Sequence, residues 1–372
     1  MSITCNTFTL NQVYDLVNSG QYVTYSNSND PGTLWAWGYN GYGQLGDGTV
    51  TQRSSPMQVP GIQWNQITGS ACHTLATKTD GTLWSWGANL YGELGDGTQV
   101  NKSSPVQIPG TQWNQITGGD LFTVATKTDG TLWAWGRNLS GQLGNGTVVS
   151  KLSPVQVPGT QWTKVSVGAN HTVATKTDGT LWSWGYNFYG QLGQSNLIYR
   201  SSPVQIAGTQ WNQITGGQNH TSATKTDGTL WTWGCNISGQ LGDGTVVHRS
   251  SPVQVPGTQW NNIDAGWYNT IATKTDGTLW VWGNNACGQL GQSNLIYRSS
   301  PVQIPGTQWN QASGGHLHIT ATKTDGTLWT WGSNYNGELG DGTVISKSSP
   351  IQIPGTHWNN VSSGIDTTVA RK

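Results

Sequence analysis

The sequence predicts an all-β chain. The expected architecture is a closed seven-bladed β-propeller with four strands per blade and a closing blade shared between the N- and C-terminal segments. Three observations lead there. The segment Thr-Leu-Trp-x-Trp-Gly recurs with its first tryptophan at Trp35, Trp84, Trp133, Trp182, Trp231, Trp280 and Trp329, each step 49 residues. A further tryptophan keeps the same step at Trp64, Trp113, Trp162, Trp211, Trp260, Trp309 and Trp358. Positions 30–372 make 343 residues, which is seven times 49. Self-similarity at a fixed period of this size marks a repeat architecture. The array begins inside the turn before a third strand and ends on a second strand, so its two ends complement each other. An open stack would need polar caps instead, whereas a ring leaves only short outer edges.

Residues 1–29 precede the array. Thr9-Leu10-Asn11-Gln12 has capping-box spacing. Leu10, Val13, Tyr14 and Val17 then fall on one helical face, and Gly20 is placed to end the helix. Gln21 to Tyr25 alternates weakly, like a short strand. This extension is expected to act as a strap or plug over the ring, or as an anchor to a larger assembly.

Residues 30–372 then repeat one unit. In one copy, Trp64 to Thr68 reads as the first strand and Thr74 to Lys78 as the second. Thr79-Asp80-Gly81 turns the chain into a third strand, Thr82 to Trp86, because a type I′ turn needs positive φ at both central residues. A long glycine-rich loop leads to a short fourth strand around Pro105 to Ile108. Trp, Leu, Val, Ile and Thr crowd the strands, and Gly, Pro, Asn and Ser crowd the connections. No long 3.6-residue period interrupts the array, which excludes helical repeats. Paired tryptophans such as Trp35 and Trp37 point to the same side of their strand and are expected to form inter-blade core, each indole N–H seeking an acceptor.

These residues carry a family resemblance. Gly69, His73 to Ala76 and Asp80 to Gly95 resemble the repeat of the regulator of chromosome condensation family, in bacterial or viral-type form, with Glu93 at a place usually held by Gln. The resemblance extends over residues 30–372. It implies a seven-bladed propeller with a split closing blade, a structural role for the repeat histidine, and, for the founding member, nucleotide exchange on a small GTPase.

Composition narrows the function. Lys+Arg 17 balances Asp+Glu 17, and only 9% of residues are charged. Such a chain has no electrostatic footprint for nucleic acid or anionic membrane. Its 22 Trp exclude a disordered chain. No apolar run is long enough to span a bilayer, so no membrane insertion is expected. The start of the chain lacks a standard signal peptide. Cys5, Cys72, Cys235 and Cys287 form no C-x-x-C pair and sit at unmatched places in the repeat.

Because the units are near-copies, the places where they differ are informative. One is the pair before the second strand, which includes Trp267 and Tyr268. Another flanks the repeated Asn after the third strand, and holds Tyr39, Tyr42, Leu90, Tyr91, Arg137, Tyr186, Phe188, Tyr189 and Tyr335. A third precedes Ser-Ser-Pro, as in Leu197-Ile198-Tyr199. Alternating strand direction puts the two main variable places on one face of the disc, opposite the nearly constant Thr-Asp-Gly and Pro-Gly-Thr turns. Binding residues concentrate on loops held by a rigid scaffold, and Tyr and Trp give contact area at little rotamer cost. The eleven residues just named are the expected binding face. Trp267, outside the repeating tryptophan scheme, is the one expected to be exposed.

Catalytic groups are not expected. His73, His171, His220 and His318 share one repeat place and read as structural hydrogen bonders rather than a metal ring. Asp47, Asp96, Asp243 and Asp341 read as turn residues, since each loop offers one carboxylate where calcium needs several oxygens. Arg53, Lys102, Lys151, Arg200, Arg249, Arg298 and Lys347 read as a solvated rim. There is no phosphate-binding loop, and a sevenfold ring of like groups is a poor match to the few unlike groups of an active site. No cofactor or metal is implied. The expectation is a non-enzymatic scaffold whose variable face takes a protein or glycan, on an extracellular or virion surface. A guanine-nucleotide exchange factor and a purely structural assembly subunit are the alternatives. Against exchange activity, every blade has the same length, with no wedge insertion.

Overall fold

The computed structural model describes residues 32–372, so the helix and strap expected for residues 1–29 lie outside the described residues. The described chain forms 28 strands in seven four-stranded antiparallel sheets. No helix among the described residues is long and apolar enough to cross a membrane.

Blade 2, residues 64–108, shows the unit. Its strands are Trp64–Gly69, His73–Lys78, Leu83–Gly87 and Lys102–Ile108, paired in that order. Blades 3 to 7 repeat it. The first strands of all seven blades stand around the axis and line a channel of about 120 Å³. Glycines close the ring there: a Cβ on Gly216 would lie 2.5 Å from the backbone N of Gly168 in the neighbouring blade. Only a residue without a side chain permits that approach.

Blade 1 is built from both ends of the array. Its order is Arg53–Val59, Leu34–Gly38, Thr367–Arg371, Asn360–Ser363. Leu34 pairs with Arg371 and Gly38 with Thr367. The split closing blade predicted from the arithmetic of the repeat is present.

The fourth strand is longer than the sequence suggested. In blade 2 it runs from Lys102, which pairs with Gly87, and a register shift then absorbs the Ser-Ser-Pro step before Val106 pairs with Ser85. A bulge on an edge strand accommodates a proline that has no N–H to give the ladder.

The core lies between blades. Leu75, Leu83 and Ile108 of blade 2 pack against Trp113, Ala125 and Trp135 of blade 3, and every junction repeats the pattern. The two third-strand tryptophans do not share this burial equally. Trp135 is fully buried, and its Nε1 donates to the Glu93 carbonyl at 3.0 Å. Trp133 is only half-buried, and Lys127 lies over it and over Trp113, at 5.0 and 4.7 Å from the ring centroids. Its Nε1 donates to Thr131 Oγ1 at 2.9 Å. The first-strand tryptophans differ: from Trp64 to Trp358, none of the seven indole N–H groups meets an acceptor among the described residues.

Candidate recognition face

The turn between strands one and two and the loop between strands three and four are tied together by the backbone. Ala88 N donates to Cys72 O, Tyr186 N to Asn170 O and Asn284 N to Tyr268 O, each at 2.9 Å. Both variable places therefore lie at one end of every blade, and the eleven residues expected at the binding face all belong to these segments.

A buried asparagine holds each long loop. Asn187 Oδ1 accepts from Leu192 N at 2.9 Å, and its Nδ2 donates to the carbonyls of Asn196 and Ile198. The second of these bonds recurs in all seven blades at 3.0 to 3.3 Å. Loop tips that would otherwise fray are thus fixed to the scaffold, because breaking the clamp would leave a buried amide unpaired.

The expected residues gather into separate groups. Tyr39 and Tyr42 meet edge to face at 6.2 Å. Arg137 lies over the Tyr91 ring at 5.6 Å, with Leu90 exposed beside Tyr91. Tyr186, Phe188 and Tyr189 form the largest group: Phe188 is 58% exposed, 6.4 Å from Tyr186 and 5.0 Å from Tyr189. Tyr335 stands alone at 71% exposure. Trp267 is not the exposed tryptophan that was expected. It is half-buried at the channel mouth, with its ring 4.5 Å from His316 and 6.2 Å from Tyr268. The next blade supplies the imidazole that covers it, a contact invisible within one repeat.

Two features lie outside the eleven residues of the expected face, although Leu197-Ile198-Tyr199 was named among the variable places. Tyr199 packs at 4.8 Å on Tyr186 and His248 at 5.1 Å on Tyr189, which extends the aromatic group from blade 4 onto blade 5. The second is a ring of aliphatic tips. The two loop positions before the fourth-strand region hold Val148-Val149, Leu197-Ile198, Val246-Val247, Leu295-Ile296 and Val344-Ile345, with Val50 and Val100 as single members. These twelve residues are all 53 to 64% exposed. Their signal was in the sequence, since twelve of fourteen equivalent positions are apolar.

Polar side chains on this face are partly spent. Asp47 binds Arg53 at 2.8 Å and Asp243 binds Arg249 at 2.8 Å, while Asp96–Lys102 and Asp341–Lys347 are looser at 3.7 and 3.8 Å. The turn carboxylates and the basic rim, expected as separate features, are joined in these four blades. Lys151, Arg200 and Arg298 have Asn145, Gln194 and Gln292 at the equivalent places instead and no carboxylate partner among the described residues. Nearer the axis are Glu93, Asp120, Glu338 and Asp366, with Arg137. Burial raises the Asp120 carboxyl, opposed by Arg137, and burial also raises Glu93. Burial, then the nearby Glu338, pushes Asp366 up to about 6.

The repeat explains that last pair. Gln142 Nε2 donates to Asn170 Oδ1 at 3.5 Å and Gln191 Nε2 to Asn219 Oδ1 at 3.3 Å across two blade junctions. At the junction of blades 7 and 1 the equivalent places carry Glu338 and Asp366. An amide bridge is replaced by two carboxyl groups.

The repeat histidines are spent between blades. Thr123 Oγ1 donates to Glu93 O at 2.8 Å, so its bond with His73 Nε2 at 2.9 Å must be donated by the imidazole. His171, His220 and His318 repeat the contact with Thr221, Thr270 and Thr368. Burial lowers His73 and His171 to about 3, and His220 and His318 to about 4, so all four are neutral. Among the described residues no group of three or more His, Cys, Asp or Glu is placed to hold a metal ion.

Comparison with known proteins fits this geometry. Residues 112–372 match the model of the RCC1-like domain, and residues 31–77 and 80–126 match the regulator of chromosome condensation (RCC1) repeat. Three solved structures superpose closely. A chain in the crystal structure of Kap60 bound to yeast RCC1 (Prp20) gives a TM-score of 0.83 at 20% identity, covering 92% of this chain and 88% of that one. Human WBSCR16 gives 0.82 at 20% identity, covering 91% and 98%. Prp20p from Saccharomyces cerevisiae, whose structure was described together with its binding to Gsp1p and histones, gives 0.82 at 22% identity, covering 92% of each chain. At this identity the superpositions speak for the fold. With the family model matching well over half its length, the chain belongs to the RCC1 repeat family of seven-bladed β-propellers.

Proposed function

We propose that this protein is a non-enzymatic recognition scaffold whose loop face docks a macromolecular partner, on an extracellular or virion surface. The observation that carries the reading is the contiguous aromatic group of Tyr186, Phe188, Tyr189, Tyr199 and His248 across blades 4 and 5. Binding energy concentrates in a few such anchors. A protein partner is favoured over a glycan, because the yeast relative Prp20 is described with protein partners, Kap60, Gsp1p and histones. No blade carries an insertion that would serve as an exchange wedge, so acceleration of nucleotide release from a Ran-like GTPase is not expected.

The test is paired. Wild type, Phe188→Ser/Tyr189→Ala and Lys127→Ala are screened against one panel of candidate proteins and a glycan array, with a fluorescent-nucleotide release assay alongside. The loop-face variant should lose a wild-type ligand that the constant-face variant keeps. Retention of every ligand by the loop-face variant, or catalytic nucleotide release by wild type, would sink the reading.

A further inference from the structure

We infer that the partner of the loop face is a second copy of this chain, docked face to face through the ring of aliphatic tips. This rests on the loop face being a docking surface, as proposed above. The geometry selects the occupant. Seven clamped loops hold the tips at equivalent places around the axis, so the ring is a flat annulus. Only a plane or another ring touches all of it at once; an asymmetric partner would cover an arc and leave the rest wet.

The area suits a stable dimer. Twelve side chains at this exposure present on the order of 1,000 Å². A standard interface buries about 800 Å² per partner. Phe188 and Tyr335 stand on the same face and add to it.

Charge separates a second copy from a lipid surface. Eight carboxylates, four on the rim and Glu93, Asp120, Glu338 and Asp366, face eight cations, the seven of the rim and Arg137. A balanced face has no pull toward anionic lipid, and it does not repel its own image. A two-fold axis lying in the face brings the tip ring of one copy onto the tip ring of the other. Such an isologous contact closes on itself and stops at two chains.

Sedimentation velocity of the full chain over a concentration series tests this. A species of twice 39.9 kDa is expected. Val149→Asp/Ile198→Asp should raise its dissociation constant at least tenfold with an unchanged melting temperature, since both tips are exposed. Ile62→Asp, on the constant face, should leave the dimer intact. A monomer at every concentration, a dimer indifferent to Val149→Asp/Ile198→Asp, or polymers that grow with concentration would each overturn the inference. So would a monomer that pellets with phosphatidylcholine/phosphatidylserine vesicles. A monomer that still loses an external ligand through Phe188→Ser/Tyr189→Ala would overturn the dimer while leaving the recognition reading standing.

Discussion

The two faces of the disc are made by the same repeat and treat their side chains in opposite ways. On the constant face each lysine lies over two tryptophans, as Lys127 does over Trp113 and Trp133, and each turn aspartate accepts from a threonine, as Asp129 does from Thr131 at 2.7 Å. The lysine contact recurs in all seven blades and the aspartate bond in six, the turn aspartate of blade 1 lying outside the described residues. On the loop face the backbone is just as tightly held, by the asparagine clamps, but the side chains beyond the clamp differ from blade to blade and many have no partner among the described residues. Rigid backbone with unspent side chains is the condition for a preorganised contact surface. The constant face closes the ring; the loop face is free to recognise.

The largest effect should come from breaking the ring beneath both faces. Deleting residues 367–372 removes the second strand of blade 1 and the Lys372 that covers Trp35 and Trp358. Exposed strand edges and a lost junction should cost about 5 kcal/mol or more. An unchanged thermal melt would contradict a closed ring with a shared blade.

The carboxyl pair should show which face holds the weaker junction. Asp366 titrates near 6 when folded, against 3.8 in the unfolded chain. Between those values the native state holds the extra proton, so its contribution falls as pH rises through this window. Asp366→Asn restores the amide found at this place in blades 4 and 5. It should stabilise by about 1–3 kcal/mol at pH 7 and by nothing near pH 3.5. The buried histidines run the other way. Unfolded imidazole takes its proton near 6.5 and the folded ones only near 3 to 4, so their contribution is lost as pH falls below 6.5. Melts of Asp366→Asn and wild type at matched pH isolate the carboxyl contribution, because the histidines are common to both.

A smaller loss should follow from Lys127→Ala on the constant face. It removes one cation from over two rings, for about 1 kcal/mol, in a chemical melt that is insensitive to which loop-face ligand is present. The smallest effect is a gain. Gln112, like its six counterparts, holds positive φ, here 64°, with its carbonyl fixed by Thr128 N at 3.0 Å. Gln112→Gly should stabilise by about 0.5–1 kcal/mol, because an L side chain is strained there. A loss would show that the glutamine side chain contributes more than its backbone costs.

The fold was legible because its cause is periodic. A tryptophan every 49 residues and ends that complement each other require no knowledge of contacts between blades. The recognition face was legible only as far as a single repeat reaches. Tyr186, Phe188 and Tyr189 are neighbours in sequence and their cluster could be read, but His248, which completes it, comes from the next blade. Trp267 was misread for the same reason, since His316 of blade 7 covers it. The aliphatic tips failed differently. They vary among Val, Ile and Leu, so only Leu197-Ile198 was singled out and as a variable place, when hydrophobicity was the constant property. The Glu338–Asp366 pair becomes meaningful only when set against Gln142–Asn170 and Gln191–Asn219 at other junctions.

The most direct test of the two-face account is a titration of one identified partner, a second copy included, against three proteins that are each fully folded at the assay temperature. These are wild type, the loop-face variant Phe188→Ser/Tyr189→Ala, and the constant-face variant Ile62→Ser/Lys225→Ala. The account predicts a dissociation constant raised about 30-fold or more by the loop-face variant, the loss of one aromatic anchor worth about 2 kcal/mol, and a change within about threefold for the constant-face variant. An equal loss in both variants, or a loss confined to the constant-face variant, would contradict it.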